Sequence, residues 1–304
     1  MRIHFFALLF LISFFSCNRQ PTDVRVIDPD ETLNGNRQKY VQDGYEPLKV
    51  AVSAILSPRE TFGSYEKVFD YLSNEIGRPI EFHQRQTYGE VNQMLEKGQL
   101  DFAFICTGAY VSLDLQKGVE LLAVPVSNEK PYYHAYIIAG ADSQAKGLED
   151  LENTTFAFTD PLSNTGYLYV ISRLREKGLA PDDFFNSSVF TYGHDNSIQM
   201  VARGIVEAAS VNQLVFDYVK AHDPQQVNEI KIVEVSPAFG NPPVVVSRRL
   251  DPETKQKLKS LFLSMHENAR ASDMLDVLLI DRFIEAKDAD YDHVRQMKET
   301  VDNK

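Results

Sequence analysis

TFAFTDPLSNTGYLYVISRLREKG, residues 155–178, joins an apolar, β-rich run (155–160) to a helical pattern (167–178). Between them lie Asp160, Pro161, Ser163, Asn164, Thr165 and Gly166. A strand that passes through a short polar loop into a helix is half of a βαβ unit, and repetition of that unit builds a parallel α/β sheet. The loop also opens the helix, where the first N–H groups have no intrahelical partner and the macrodipole places roughly half a positive charge. Gly166 lets the backbone approach a ligand, and the hydroxyls of Ser163 and Thr165 can donate to an oxyanion, so an anion could be held without a lysine. Ser, Thr and Asn are also the ordinary caps of any helix, and this stretch alone leaves a plain N-cap open.

The same grammar continues in both directions. Downstream come SSVFTYG (187–193), a helix over 197–203 and EAASV (207–211). Upstream stand LKVAVSAI (48–55), a helix through 65–77, PIEFHQR (79–85) and a helix through 89–98. DFAFIC (101–106), a helix over 109–117 and VELLAVPV (119–126) complete that half. Two similar α/β halves imply two lobes. YYHAYIIAG (132–140) and PPVVVSRR (242–249), extended and apolar at the edges of a half, read as two crossover strands of a hinge. Helices over 252–266 and 271–279 then return to the first lobe. The expected division is lobe one at 47–131 and 250–304, and lobe two at 132–249 with both hinge strands. Such a pair of lobes leaves a cleft outside the carboxyl ends of its strands, where open sheets bind ligands.

The chain's 304 residues, 43% of them hydrophobic, suffice for a sizeable core, and a formal net charge of −12 argues against nucleic acid or anionic lipid as a general partner. Residues 1–17 carry Arg2, an apolar stretch from Phe5 to Phe15, then Ser16 before Cys17, the pattern of an export signal. The small residue before the cysteine resembles a lipoprotein lipobox, with Phe14 where Leu is usual; a plain signal peptide is the alternative. Cys17 would carry the lipid, and residues 18–46, polar and broken by Pro and Asn-Gly, would form a flexible tether. The other cysteine, Cys106, lies in an apolar run and reads as a buried thiol.

Several stretches resemble, in order, the PhnD-like substrate-binding proteins of phosphate, phosphite and phosphonate ABC transporters. DPLSNTGY (160–167) matches the family's Asp-Pro-x-Ser-Thr-Ser-Gly-Tyr loop, with Asn164 in place of Thr, and Tyr88 in QTYGEV matches a tyrosine at a helix start. DFAFICTGAYV (101–111), PYYHAYIIAGADS (131–143), GHDNSIQMVARGIVEAASV (193–211), SPAFGNPPVVV (236–246) and IDRFIEAKDADYDHVRQM (280–297) follow the family's order. The resemblance implies an α/β, two-lobe periplasmic-binding-protein fold of type II-like topology with two crossover hinge strands. It implies capture of a small phosphorus oxyanion by Tyr88, Tyr133, Ser163, Asn164, Thr165, Gly166 and His194, and delivery to an ABC permease and its ATPase. Protonation of His194 would strengthen its contact with an anion. Residues that flank an aminoalkyl tail in the family align with Leu214 and Asn241, neither acidic, so a buried ammonium would find no carboxylate here.

No cofactor, metal or catalytic role is expected: the chain has no Gly-x-Ser-x-Gly elbow, His-Glu-x-x-His, P-loop or metal-spaced Cys/His cluster. The expected protein is a monomer, exported to the periplasm or cell surface and held there by its lipid. A binding protein that signals to a membrane receptor, or one for a thiamine precursor or sulfonate, shares the architecture and stays open.

Overall fold

The computed structural model describes residues 46–53, 58–114 and 118–302. The export segment, the tether and Cys17 lie outside the described residues. Among those described, no helix is long and apolar enough to cross a membrane.

The first half runs β1 (Leu48–Val52), α1 (Pro58–Ile76), β2 (Ile80–His83), α2 (Tyr88–Glu96), β3 (Phe102–Phe104), α3 (Thr107–Val111) and β4 (Val119–Val126). The chain then crosses through β5 (Tyr132–Tyr133) into β6 (Ala135–Gly140) and β7 (Thr155–Phe158). A π turn (Asn164–Leu168) leads into α4 (Tyr169–Glu176), followed by α5 (Pro181–Phe184), β8 (Ser187–Phe190), α6 (His194–Ala202), β9 (Ala208–Asn212), α7 (Gln213–His222) and β10 (Ile230–Val235). The chain returns through β11 (Phe239–Gly240) and β12 (Val244–Ser247) to α8 (Pro252–Ser264), α9 (Ala269–Val277), β13 (Arg282–Ile284) and α10 (Asp292–Asp302).

Two mixed sheets result, ordered β13-β4-β12-β3-β1-β2 and β10-β6-β9-β7-β8, and a small ribbon pairs β11 with β5. Each sheet is filled on both faces. Leu72, Phe102, Phe104, Phe262 and Phe283 pack one face of the first, and Val91, Leu95, Ile105 and Val245 the other. Phe156, Phe158, Val170 and Leu174 do the same for one face of the second sheet, and Ile138, Ile198 and Val211 for its other face.

Three expectations change. The hinge is shorter than its sequence runs: only Tyr132–Tyr133 and Phe239–Gly240 pair there, in register Phe239 to Tyr133. β6 lies inside the second sheet between β9 and β10, and β12 lies inside the first between β3 and β4, so residues 244–247 belong to lobe one. All four residues of β12 are buried, and an unbroken apolar run is the mark of a strand covered on both faces. The second correction is the chain end. Val294, Met297 and Val301 form one stripe of α10 and pack into the core of lobe two beside α4, so residues 292–302 close over the second lobe rather than the first. The third is α3, expected over 109–117, which stops at Val111 because Ser112 turns its N–H back to Ala109 and its hydroxyl to the Gly108 carbonyl.

Candidate functional site

The loop 160–166 of lobe two meets two helix starts of lobe one. Thr87 caps α2: its Oγ1 accepts the Glu90 N–H at 3.2 Å while Glu90 Oε2 accepts the Thr87 N–H at 2.9 Å. This box fixes Tyr88 as the first residue of the helix. Its backbone N–H donates across the cleft to Asp160 Oδ2 at 3.0 Å, and Asp160 Oδ1 accepts the Leu162 N–H at 2.8 Å. A carboxylate from one lobe therefore serves as anion for the helix start of the other. Beside it, Gly108 at the start of α3 lies so close to the loop that a Cβ would stand 2.3 Å from the Leu162 carbonyl and 2.7 Å from the Asn164 nitrogen.

Within the loop, Ser163 Oγ accepts the Gly166 N–H at 3.0 Å, and the Leu168 N–H reaches back five residues to the Ser163 carbonyl at 2.9 Å, which makes the first turn a π turn. Such widened turns recur at functional sites. Gly166 is also required for space. A Cβ there would meet Thr159 Oγ1 at 2.4 Å and His194 Cε1 at 2.9 Å, so its small size seats the helix start on those two side chains.

His194 is fully buried at the start of α6. Its Nδ1 accepts the backbone N–H of Asn212 at 3.1 Å, with the Thr159 hydroxyl at 3.0 Å from the same nitrogen. An amide N–H only donates, so Nδ1 bears no proton, and the neutral ring carries its hydrogen on Nε2, 3.4 Å from Ser163 Oγ. Burial pushes the imidazole down to about 3. The expectation that protonation would strengthen this contact is thus corrected: a second ring proton would face an N–H, so the ring is neutral with its hydrogen on Nε2.

Tyr88 and Tyr133 are both fully buried. Asn164 Nδ2 donates to Tyr133 Oη at 3.1 Å. Tyr88 Oη, which faces Ser163, has no protein partner, and neither do Thr165 Oγ1, Asn164 Oδ1 and Asn212 Nδ2. Burial pushes both tyrosine hydroxyls far above their ordinary range, so they remain protonated donors. Cys106 is a buried free thiol, also pushed up by burial. The structure brings Tyr88, Tyr133, Ser163, Asn164, Thr165, Gly166 and His194 into one buried cluster. Asn241 Nδ2 donates to the carbonyls of Pro125 at 2.8 Å and Lys130 at 3.2 Å, and its backbone carbonyl accepts the Tyr291 hydroxyl at 3.0 Å, bracing the hinge, while its buried Oδ1 has no protein partner.

The sequence shows Asp160 only as the Asp of an Asp-Pro loop and gives no sign of Thr159 or Asn212, which contribute here through tertiary contacts; Asn212 also caps α7, its Oδ1 accepting the Leu214 N–H at 2.7 Å.

Because His194 is neutral in the fold and titrates near 6.5 in the unfolded chain, the unfolded state takes up more protons as pH falls below 6.5, and stability is lost in that window. The contribution between pH 7 and 5 is roughly 2 kcal/mol. Asp160, pushed up by burial against the N–H groups of Leu162 and Tyr88, acts with the opposite sign, since its protonation is easier in the fold. Thermal melts of the wild type and His194→Gln at pH 7 and 5 separate the two: the wild type should lose more stability than the variant on acidification, and equal losses would remove His194 as the cause.

Residues 50–291 match a family model described as ABC transporter, phosphonate, periplasmic substrate-binding protein. The phosphate-import protein PhnD of Mycolicibacterium smegmatis is 26% identical over 238 residues, covering 74% of each chain. A binding protein component of an ABC phosphonate transporter from Pseudomonas aeruginosa superposes with a TM-score of 0.78 at 22% identity, over 85% of this chain and 87% of that one. PhnD1 from Prochlorococcus marinus in complex with methylphosphonate superposes with a TM-score of 0.76 at 18% identity, over 84% of this chain and 98% of that one.

Proposed function

Because the chain belongs to the periplasmic substrate-binding proteins of phosphonate ABC transporters, we propose that its buried cluster holds a tetrahedral phosphorus oxyanion (phosphate, phosphite or a short alkylphosphonate) for delivery to a permease and its ATPase. The observation that carries this reading is the set of fully buried polar atoms without protein partners, Tyr88 Oη from lobe one with Thr165 Oγ1 and Asn164 Oδ1 from lobe two. Leaving one such group unpaired costs about 1–3 kcal/mol, and buried polar groups rarely go unpaired without a reason. A ligand with several oxygens at tetrahedral angles would pair them together.

None of the clustered side chains is cationic. Affinity then rests on preorganised neutral donors in a dehydrated site, namely the hydroxyls of Tyr88, Ser163 and Thr165 and the Nε2–H of His194. Asn164 Oδ1 adds an acceptor, which suits the proton of a P–OH group and disfavours fully deprotonated sulfate. The oxyanion would dock first on the helix start of lobe two, and closure about the β5–β11 ribbon would bring Tyr88 over it. These parts bind and release. Export and lipid anchoring through Cys17 belong to the same proposal and rest on residues 1–17.

Isothermal calorimetry of the protein lacking residues 1–17 against phosphate, phosphite, methylphosphonate and sulfate tests it. Binding of at least one phosphorus anion with sulfate silent is the expected result. Silence toward all three phosphorus anions would end the reading.

A further inference from the structure

The first sheet reverses its order at β1. From β1 the chain runs out to β2 through α1, and from β2 it returns through α2 to β3 on the other side of β1. α1 covers one face, with Val68 and Leu72 in a cluster with Val50, Val52 and Phe104. α2 and α3 cover the other, with Val91, Leu95 and Tyr110 in a cluster with Ala51 and Ile105. β1 and β3 are parallel neighbours, so the segments leaving their carboxyl ends part to opposite faces. That divergence opens a crevice at the strand ends, the place where an open α/β sheet takes its ligand.

Ser53 stands on the β1 side of that crevice. Its N–H donates to the Phe104 carbonyl at 2.8 Å, which carries the pairing of β1 with β3 one residue past Val52 and brings Ser53 level with Ile105. Side chains alternate between the faces of a strand, so Ser53 shares the face of Ala51, the one that α2 and α3 cover. Those two helices start at the same end of the sheet, where Tyr88, Cys106 and Ala109 pack together. Ser53 is fully buried, yet its Oγ has no partner among the described residues, and the same holds for Tyr88 Oη. A serine hydroxyl ordinarily finds a backbone group nearby, and a buried one left over calls for a partner from outside the chain.

We propose that Ser53 is a ligand-contacting residue whose hydroxyl donates to an oxygen of the bound oxyanion from the floor of lobe one, beside Tyr88; this rests on the oxyanion reading given above. The oxygens of a phosphorus oxyanion accept more hydrogen bonds than Tyr88, Ser163, Thr165 and His194 supply, so a further donor has an acceptor. The site then divides by lobe. Lobe two presents Ser163, Thr165 and His194 on its helix starts, where the ligand docks first. Lobe one adds two hydroxyls, Ser53 and Tyr88, that reach the ligand only when the lobes close. A contact made after closure slows escape and leaves the encounter unchanged, so Ser53 acts on the dissociation rate.

Calorimetry and stopped-flow kinetics with phosphate, phosphite and methylphosphonate test it in the wild type, Ser53→Ala and Ser53→Thr. The chain has no tryptophan, so intrinsic tyrosine fluorescence reads the kinetics. Ser53→Ala should lower the affinity for each anion that the wild type binds by about 10-fold to 100-fold, the effect of one hydrogen bond to a charged group. The association rate should stay within about twofold of wild type, with the loss carried by faster dissociation. Ser53→Thr keeps the hydroxyl and should recover affinity to within about fivefold of wild type. Without ligand, Ser53→Ala should melt near the wild-type temperature, because no protein hydrogen bond is removed. If Ser53→Ala binds at wild-type strength, Ser53 does not touch the ligand and the oxyanion site stands without it. Weakened binding together with a clearly lowered melting temperature would give Ser53 a packing role and overturn the proposal, as would a loss carried by slower association. If no phosphorus anion binds the wild type, both readings fall together.

Discussion

Gly108→Ala is expected to weaken ligand binding roughly 100-fold, about 3 kcal/mol, without touching a single donor of the site. The backbone at Gly108 is not in the left-handed region, so the residue is glycine for space alone. A methyl group would stand 2.3 Å from the Leu162 carbonyl, a backbone atom of the opposite lobe held in place by the Asp160 turn. Neither side can give way without moving a lobe. With the lobes apart the methyl is tolerated, so the variant should fold normally, melt near the wild-type temperature without ligand, and fail to close. The ligand would then keep its contacts with the 163–166 helix start and lose those with Tyr88. Calorimetry reads the affinity, and small-angle X-ray scattering reads whether ligand still compacts the protein. Wild-type affinity with normal compaction would show that the loop does not seat against α3 when ligand binds.

Tyr88→Phe combined with Thr165→Val is expected to leave the melting temperature of the ligand-free protein near the wild-type value and to make its binding much weaker. With the lobes closed both hydroxyls are fully buried and neither has a protein partner, whereas with the lobes apart water pairs them, so they add little to the stability of the ligand-free protein and act when ligand is bound. Each lost hydrogen bond to a charged ligand costs about 1–3 kcal/mol, so the pair should lower affinity by about 2–6 kcal/mol, roughly 30-fold to 10⁴-fold, if the two effects add. Hydroxyls with an ordinary structural purpose would do the reverse, with a lower melting temperature and little change in binding. Denaturant melts and calorimetry on the same preparation decide between the two, and a destabilised double variant that binds at wild-type strength would remove Tyr88 and Thr165 from the site.

The sequence by itself determined the α/β alternation, the two halves, and the loop 160–166 at the strand–helix junction. These are local properties. Hydrophobic period reports which faces of one element are buried, and caps and glycines mark where it ends, so a contiguous set such as Ser163, Asn164, Thr165 and Gly166 can be read in one dimension. Tertiary structure decided which sheet takes each crossover. YYHAYIIAG and PPVVVSRR have the same apolar look, and only their pairing partners show that 135–140 and 244–247 are interior strands while the hinge is two residues on each side. It decided the destination of the chain end as well: the stripe Val294, Met297 and Val301 announces that α10 buries one face, not which lobe receives it.

The chemistry of the site divides the same way. Histidine at a helix start can be seen in GHDNS, but its charge state is set by a backbone N–H eighteen residues further on at Asn212, which forces the neutral tautomer. Asp160 looks like part of an Asp-Pro turn until the fold brings it to the Tyr88 N–H across 72 residues of sequence. Gly108 sits in an unremarkable Thr-Gly-Ala stretch, and its need to be small exists only where two lobes meet. Donor types are written along the chain, whereas their partners, their protonation and the space between them depend on distances that the folded lobes alone define.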